Sequence, residues 1–232
     1  MYFDPLYFLF VLPALLLGLW AQARVKSAYS RYLRVGNERN LTGVEAAQYL
    51  LQSNGLGHLG IEGTPGQLTD HYDPTKKTLF LSQDVANGRS LAGLSIVAHE
   101  VGHAIQDATN YGPLKLRMGI VPMVQIGSAL GPILFMAGWF FQSTGLATVG
   151  LLLFSLSAAF ALITLPVERN ASARALQMLQ STALIQGGEE AVGVRKVLDA
   201  AALTYVAALV QVIATLLYYV MLLGGMGGRR RN

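Results

Sequence analysis

The sequence predicts an α+β membrane protein, with about four transmembrane helices and a small domain made of helices and a short antiparallel sheet. Three observations carry this expectation. Of the 232 residues, 53% are hydrophobic and 13% charged, against roughly 25% charged in a soluble domain. Four uncharged apolar stretches, 6–23, 119–141, 146–165 and 201–223, come close to or exceed the ~20 residues that a helix needs to cross about 30 Å of hydrocarbon. Between the first two lies a polar stretch, 24–118, whose apolar spacing changes from helical to alternating and back to helical. Disorder is excluded, because apolar surface is in excess. The absence of cysteine excludes a disulfide framework, a thiol nucleophile and a thiolate metal site.

The first apolar stretch ends in Ala21-Gln22-Ala23, a small-x-small form that resembles a signal-peptidase site. A signal peptide carries its basic residues before the apolar core. Here none precede it, and Arg24, Lys26, Arg31, Arg34 and Arg39 follow. The segment therefore reads as an uncleaved anchor with its N-terminus outside. Ten Lys and Arg lie between Arg24 and Arg117 and four between Arg169 and Lys196, against three in the tail, Arg229, Arg230 and Arg231. The positive-inside bias places the first two groups in the cytoplasm, and the same topology exports the tail against that bias. Basic charge spread beside apolar runs suits a lipid bilayer as partner and not nucleic acid. Gly127 and Gly131, with Ser155, Ser157, Ala158 and Ala159, read as contacts between close-packed helices.

In the polar stretch, Thr42 and Glu45 form a capping-box signature for a helix that Asn54-Gly55 stops. Short runs at 58–62, 68–72 and 78–82 follow, separated by Gly63-Thr64-Pro65-Gly66 and Asp73-Pro74, and they predict the antiparallel sheet. Ser90 is an N-cap for a long helix over 91–107. After the third apolar stretch Pro166 marks the start of another helix, and Glu189 and Glu190 begin a solvated one after Gly187-Gly188. The expected organisation is an anchor at 1–23, a catalytic region at 24–118, a helical hairpin at 119–165, cytoplasmic helices at 166–200, and a last span with the basic tail at 201–232.

The long helix contains His99-Glu100-Val101-Gly102-His103, the pattern His-Glu-x-x-His. Residues four apart project from one helix face, so both imidazoles can grip one ion while Glu100 stands beside them. Zinc lowers the pKa of a water that it holds to about 7, and a neighbouring carboxylate can take the proton as the oxygen attacks a carbonyl. Catalytic zinc takes three protein ligands and keeps one position open. The candidates for the third are His58, His71, Asp107, Glu168, Glu189, Glu190 and Asp199. Glu168 is the best of them, because two crossings after His103 the chain has returned to the same face of the membrane. Ser172, one helical turn beyond it, is suitably placed for a hydrogen bond that orients a ligand histidine.

Three stretches carry a family resemblance: 68–74 (LTDHYDP), 98–106 (AHEVGHAIQ) and 168–172 (ERNAS). Together they resemble the YugP-type neutral zinc metallopeptidases of bacterial membranes, over nearly the whole chain. The resemblance implies a zincin-like catalytic domain of the gluzincin kind in the bacterial plasma membrane, with His99, His103 and Glu168 binding Zn2+ and Glu100 as general base. The Glu-x-x-Ala-Ser run looks like a variant of the Glu-x-x-Ala-Asp of heat-shock and CAAX-processing membrane proteases, with Ser172 where those have Asp. Zincins also offer the edge of the strand before the active helix to substrate, a role that would fall to Thr78, Leu79, Phe80, Leu81 and Ser82. His71 either donates to the tetrahedral intermediate or caps the sheet, and Tyr72 is a lesser candidate for the donor. The expected function is a membrane-embedded zinc endopeptidase acting on protein or peptide substrates. The rival is a non-catalytic membrane scaffold with a structural zinc closed by a fourth ligand such as His71.

Overall fold

The computed structural model describes residues 5–229. Arg230 and Arg231 of the basic tail lie outside the described residues. Helix α1 (Pro5–Tyr32) begins with the first apolar stretch and runs on past it, so that Arg24, Lys26 and Arg31 ride on the same helix. Helix α2 (Gly43–Ser53) has the predicted capping box: the Glu45 N–H donates to Thr42 Oγ1 at 3.2 Å, and the Thr42 N–H donates to Glu45 Oε2 at 2.7 Å. Helix α4 (Leu91–Ala108) starts where Ser90 Oγ accepts the Gly93 N–H at 3.0 Å. A short α3 (Gln83–Asn87), unmarked by periodicity, precedes it.

The sheet is mixed and not antiparallel as expected. Strands β1 (Gly60–Thr64), β2 (His71–Asp73) and β3 (Thr78–Ser82) lie in the order β1-β3-β2. β1 runs parallel to β3 with Gly60 opposite Thr78, and β2 runs antiparallel to it with Tyr72 opposite Leu79. The turn signal at Asp73-Pro74 does form a hairpin, but the link before it carries the chain past β3 to the far side. Asp70 holds that link in place by accepting the Ser82 N–H at 2.7 Å and the Ser82 hydroxyl at 3.0 Å. Alternation records which residues are half-buried and says nothing of which strand pairs with which.

Contacts divide the chain into two compact units. One contains the described residues up to Gln22, Lys115–Leu165 and those from Thr204 onward; the other contains Ala23–Leu114 and Pro166–Leu203. In the first, α5 (Gly112–Phe140) and α6 (Thr144–Ser181) approach so closely that a side chain at Gly127 would collide with the Leu153 backbone and one at Gly131 with that of Phe154. Gly127 and Gly131 thus serve as expected, whereas Ala159 is exposed. The four apolar stretches lie in α1, α5, α6 and α7 (Gly188–Arg229), and all four helices are long and apolar enough to cross a membrane. Leu9, Leu16, Ile133, Leu152 and Phe140 are each more than half exposed, an apolar surface that water would not tolerate and lipid would.

The second unit has an ordinary buried core. Leu50 and Leu51 of α2, Leu79 and Leu81 of β3, Val97 and Val101 of α4, Leu179 of α6 and Val194 of α7 meet in it. Two expectations are corrected. Pro166 does not start a helix; it lies inside α6, which runs through it, at the cost of one backbone bond. Glu190 is not solvated but buried, and its Oε1 accepts the Glu38 N–H at 3.0 Å.

Candidate metal centre

Helix α4 has Val97 and Val101 in the core, and His99 and His103, two residues on from each, project from the other side of the helix. That face meets α6 at Gly102. A Cβ there would lie 2.7 Å from the Ala171 carbonyl oxygen, so only glycine lets the two backbones come this close. The close crossing brings Glu168 to the histidines: its Oε2 lies 3.2 Å from His99 Nε2 and 3.4 Å from His103 Nε2. The ligand atoms of the three residues all fall within 4.8 Å of one another and could hold a metal ion. Two imidazole nitrogens and a carboxylate oxygen are a donor set that suits zinc.

The other ring nitrogens are occupied. Ser172 Oγ stands 3.2 Å from His99 Nδ1. His103 Nδ1 lies 3.0 Å from Gln106 Oε1, and Gln106 is fully buried. Its Nε2 donates to the Val167 carbonyl at 2.8 Å and to Asn170 Oδ1 at 3.0 Å. A carbonyl can only accept, so the Gln106 amide must present its oxygen to His103, and Nδ1 must carry the proton. In the neutral ring the lone pair of His103 is then on Nε2, on the side of Glu168; in the charged ring Nε2 also carries a proton and donates to that carboxylate. Gln106 therefore both sets the tautomer and ties α4 to α6. Sequence reading passed over Gln106 and Asn170. The available signal was a polar residue three places after His103 on the same face of an apolar helix.

Glu100 stands beside this group and is tied to the sheet. Its Oε2 accepts the Tyr72 N–H of β2 at 2.9 Å. Burial, opposed by the two histidines and by this bond and aided by Glu168, raises its pKa. Burial alone would raise Glu168 as well, but hydrogen bonds and charge from His103 and His99 outweigh it and hold its carboxyl well below the usual range. For His103 burial favours the neutral ring, and the hydrogen bond to Glu168, with the charges of Glu100 and Glu168, reverses this and raises its pKa.

The remaining sequence candidates fall elsewhere. Successive strand residues face opposite sides of a sheet, and Tyr72 is the one that faces α4. Its hydroxyl donates to Asp107 at 2.7 Å, where Lys77 also donates at 2.5 Å. Tyr72 thus meets Glu100 through its backbone, while its hydroxyl is engaged by Asp107. His71 is exposed, stacks on Phe80 with ring centroids 4.9 Å apart, and has Nδ1 2.8 Å from the Thr69 carbonyl. It is not aimed at the centre. Thr78, Leu79, Phe80, Leu81 and Ser82 form the central strand, paired with β1 on one side, with β2 along Thr78–Phe80 and with Asp70 at Ser82 on the other. The expected free edge is corrected accordingly: β3 has none, and β2 is the strand beside Glu100.

The family described as "Putative neutral zinc metallopeptidase" matches residues 7–224. The chain belongs to this family. Among curated relatives, "Putative membrane protease YugP" of Bacillus subtilis (strain 168) is 45% identical over 227 residues, covering 98% of this chain and 100% of the relative. No solved structure matches. Family membership agrees with the donor set at His99, His103 and Glu168 and with the four apolar helices.

Proposed function

We propose that the chain is an integral-membrane zinc endopeptidase whose catalytic region faces the cytoplasm. The observation that carries the reading is the convergence of His99 Nε2, His103 Nε2 and Glu168 Oε2, with the Glu100 carboxylate held beside them by β2. His99, His103 and Glu168 would hold the ion. Zinc bound there would supply Lewis acidity, polarising a peptide carbonyl and lowering the pKa of a water to about 7.

Glu100 is the proton carrier. Burial makes its carboxylate more basic than a surface one, which brings it closer to the working range of a general base at neutral pH. Tyr72 holds Oε2, and in this reading Oε1 would take the proton from the attacking water and deliver it to the leaving amine. Ser172 and Gln106 keep Nδ1 of each histidine engaged and Nε2 directed at the ion. An extended peptide would lie along β2, whose backbone already faces Glu100.

A structural zinc staple needs a fourth protein ligand. Among the described residues the cluster has three, and His71, the candidate fourth, faces away. The test is zinc content and cleavage of an unfolded protein by detergent-purified wild type and Glu100→Gln. The expected result is equal zinc and activity reduced at least ~10²-fold in the variant. A zinc-loaded wild type that cleaves nothing in a broad peptide library would favour the scaffold. Orientation is tested by a single cysteine at Ser53, which is exposed in a chain with no other cysteine. Labelling by an impermeant maleimide is expected only after the cells are opened.

A further inference from the structure

A cavity of about 500 Å³ lies between the end of α1 and the start of α7, apart from the metal centre. Arg24, Ser27 and Arg31 line it from α1, and Lys196, Asp199 and Leu203 from α7. Each trio has helical spacing, so each presents a single face. Three cations and one carboxylate thus line one cavity, an excess of two positive charges. Converging cations repel, and the arrangement is most stable with an anion among them.

The chain also sets the depth of the cavity. Arg24 directly follows the apolar stretch 6–23, and Leu203 belongs to the stretch 201–223. At 1.5 Å per residue, Arg31 and Lys196 stand roughly 7–12 Å beyond the apolar ends along their helices. The interfacial layer of a bilayer is about 5–7 Å thick on each side, so with the apolar stretches in hydrocarbon Arg24 and Ser27 would fall within it, Lys196 at its outer rim and the Arg31 backbone beyond it. The helices are in firm contact just beyond the cavity: a Cβ at Gly193 of α7 would lie 2.8 Å from the ring of Tyr32, which is buried. The Arg31 guanidinium lies 5.7 Å from the centroid of that ring, a cation–π contact that limits its rotamers.

We propose that this groove binds the phosphate of an anionic phospholipid. Arg31 supplies a guanidinium fork that matches phosphate oxygens, Lys196 adds a point charge, and Arg24 adds positive charge at the apolar end of the cavity. Ser27 donates a further hydrogen bond, and Asp199 accepts from the hydroxyls of a glycerol headgroup. Leu203 leads the acyl chains into the apolar stretch of α7. The proposal is independent of whether the metal centre hydrolyses peptides.

The test is native mass spectrometry and mixed-micelle titration of the full chain with phosphatidylglycerol. Arg31→Gln/Lys196→Gln is compared with Lys26→Gln/Arg195→Gln, which removes the same charge from residues that do not line the cavity. Wild type is expected to retain one phosphatidylglycerol per chain. The cavity variant should bind about 30-fold more weakly and the control within about 2-fold of wild type. Arg31→Lys/Lys196→Arg, which keeps the charges, should retain most binding, and Lys196→Gln alone should give an intermediate loss if the double variant does not fold. Equal weakening of the two neutralised variants would mean diffuse attraction to the bilayer and overturn the proposal. So would equal retention of phosphatidylcholine, or displacement of the lipid by millimolar inorganic phosphate alone, which would make the groove a site for a small solute.

Discussion

Both units have hydroxyls that turn back on their own helix, as Ser95 does to the Leu91 carbonyl, but they differ in how far their other polar groups reach. In the unit with the exposed apolar helices, hydroxyls turn back on their own helix: Thr148 to the Thr144 carbonyl, Ser155 to Leu152, and Thr164 to Phe160. In the other, polar groups reach across the chain: Gln106 to Val167, Tyr72 to Asp107 and Glu100, and Ser82 to Asp70. In hydrocarbon the backbone must be satisfied within its own segment, and helices meet through small residues. A protein that also sees water can afford long-range polar ties, and only such ties can hold three ligands from distant parts of the chain at one point.

That contrast can be broken most directly at Glu168. Glu168→Ala is expected to lower zinc affinity by more than the 10–100-fold typical of losing an outer partner, while helical content and extraction from the membrane stay as in wild type. Chelator competition and circular dichroism would measure both. Loss of the helices along with the zinc would mean that the two units do not stand independently. Acidification acts at the same place. Zinc must displace the proton that Glu168 and Glu100 stabilise on His103, so affinity should fall as pH drops, beginning above the ordinary imidazole value of about 6.5. A midpoint below that value would contradict the raised pKa.

Gln106→Leu sharpens the comparison, because it removes a tie across helices and leaves all three ligands in place. Zinc affinity should fall 10–100-fold, and stability by about 1–3 kcal/mol as His103 Nδ1 loses its acceptor and the Val167 carbonyl and Asn170 each lose one hydrogen bond. Gly127→Leu is the counterpart in the apolar unit. It should cost about 1–3 kcal/mol through collision with the Leu153 backbone and leave zinc affinity unchanged. The smallest effect belongs to Thr42→Ala, about 1 kcal/mol from the loss of the cap on α2, read as a lower Tm with normal zinc content.

The elements that were legible in the sequence are those governed by neighbours along the chain. The Thr42–Glu45 box, the Ser90 cap, the apolar stretches and the His99–His103 pair all depend on contacts within about four residues, which helical periodicity encodes. The strand order was not legible, because Asp70 and Ser82 meet across 12 residues. Nor was the burial of Glu190, whose partner Glu38 is 152 residues away.

Local pattern alone specifies four apolar helices and one helix able to present two imidazoles and a carboxylate. Helical repeat and hydrophobicity are local quantities, and both can be read residue by residue. Packing in three dimensions is what lets α4 press against α6 at Gly102, brings Glu168 to the histidines, sets Gln106 against His103, and makes β2 rather than β3 the strand that holds Glu100. Each of these depends on a distance between residues remote in sequence. Such a distance is set by how whole elements pack, and no window of the sequence contains both ends of it.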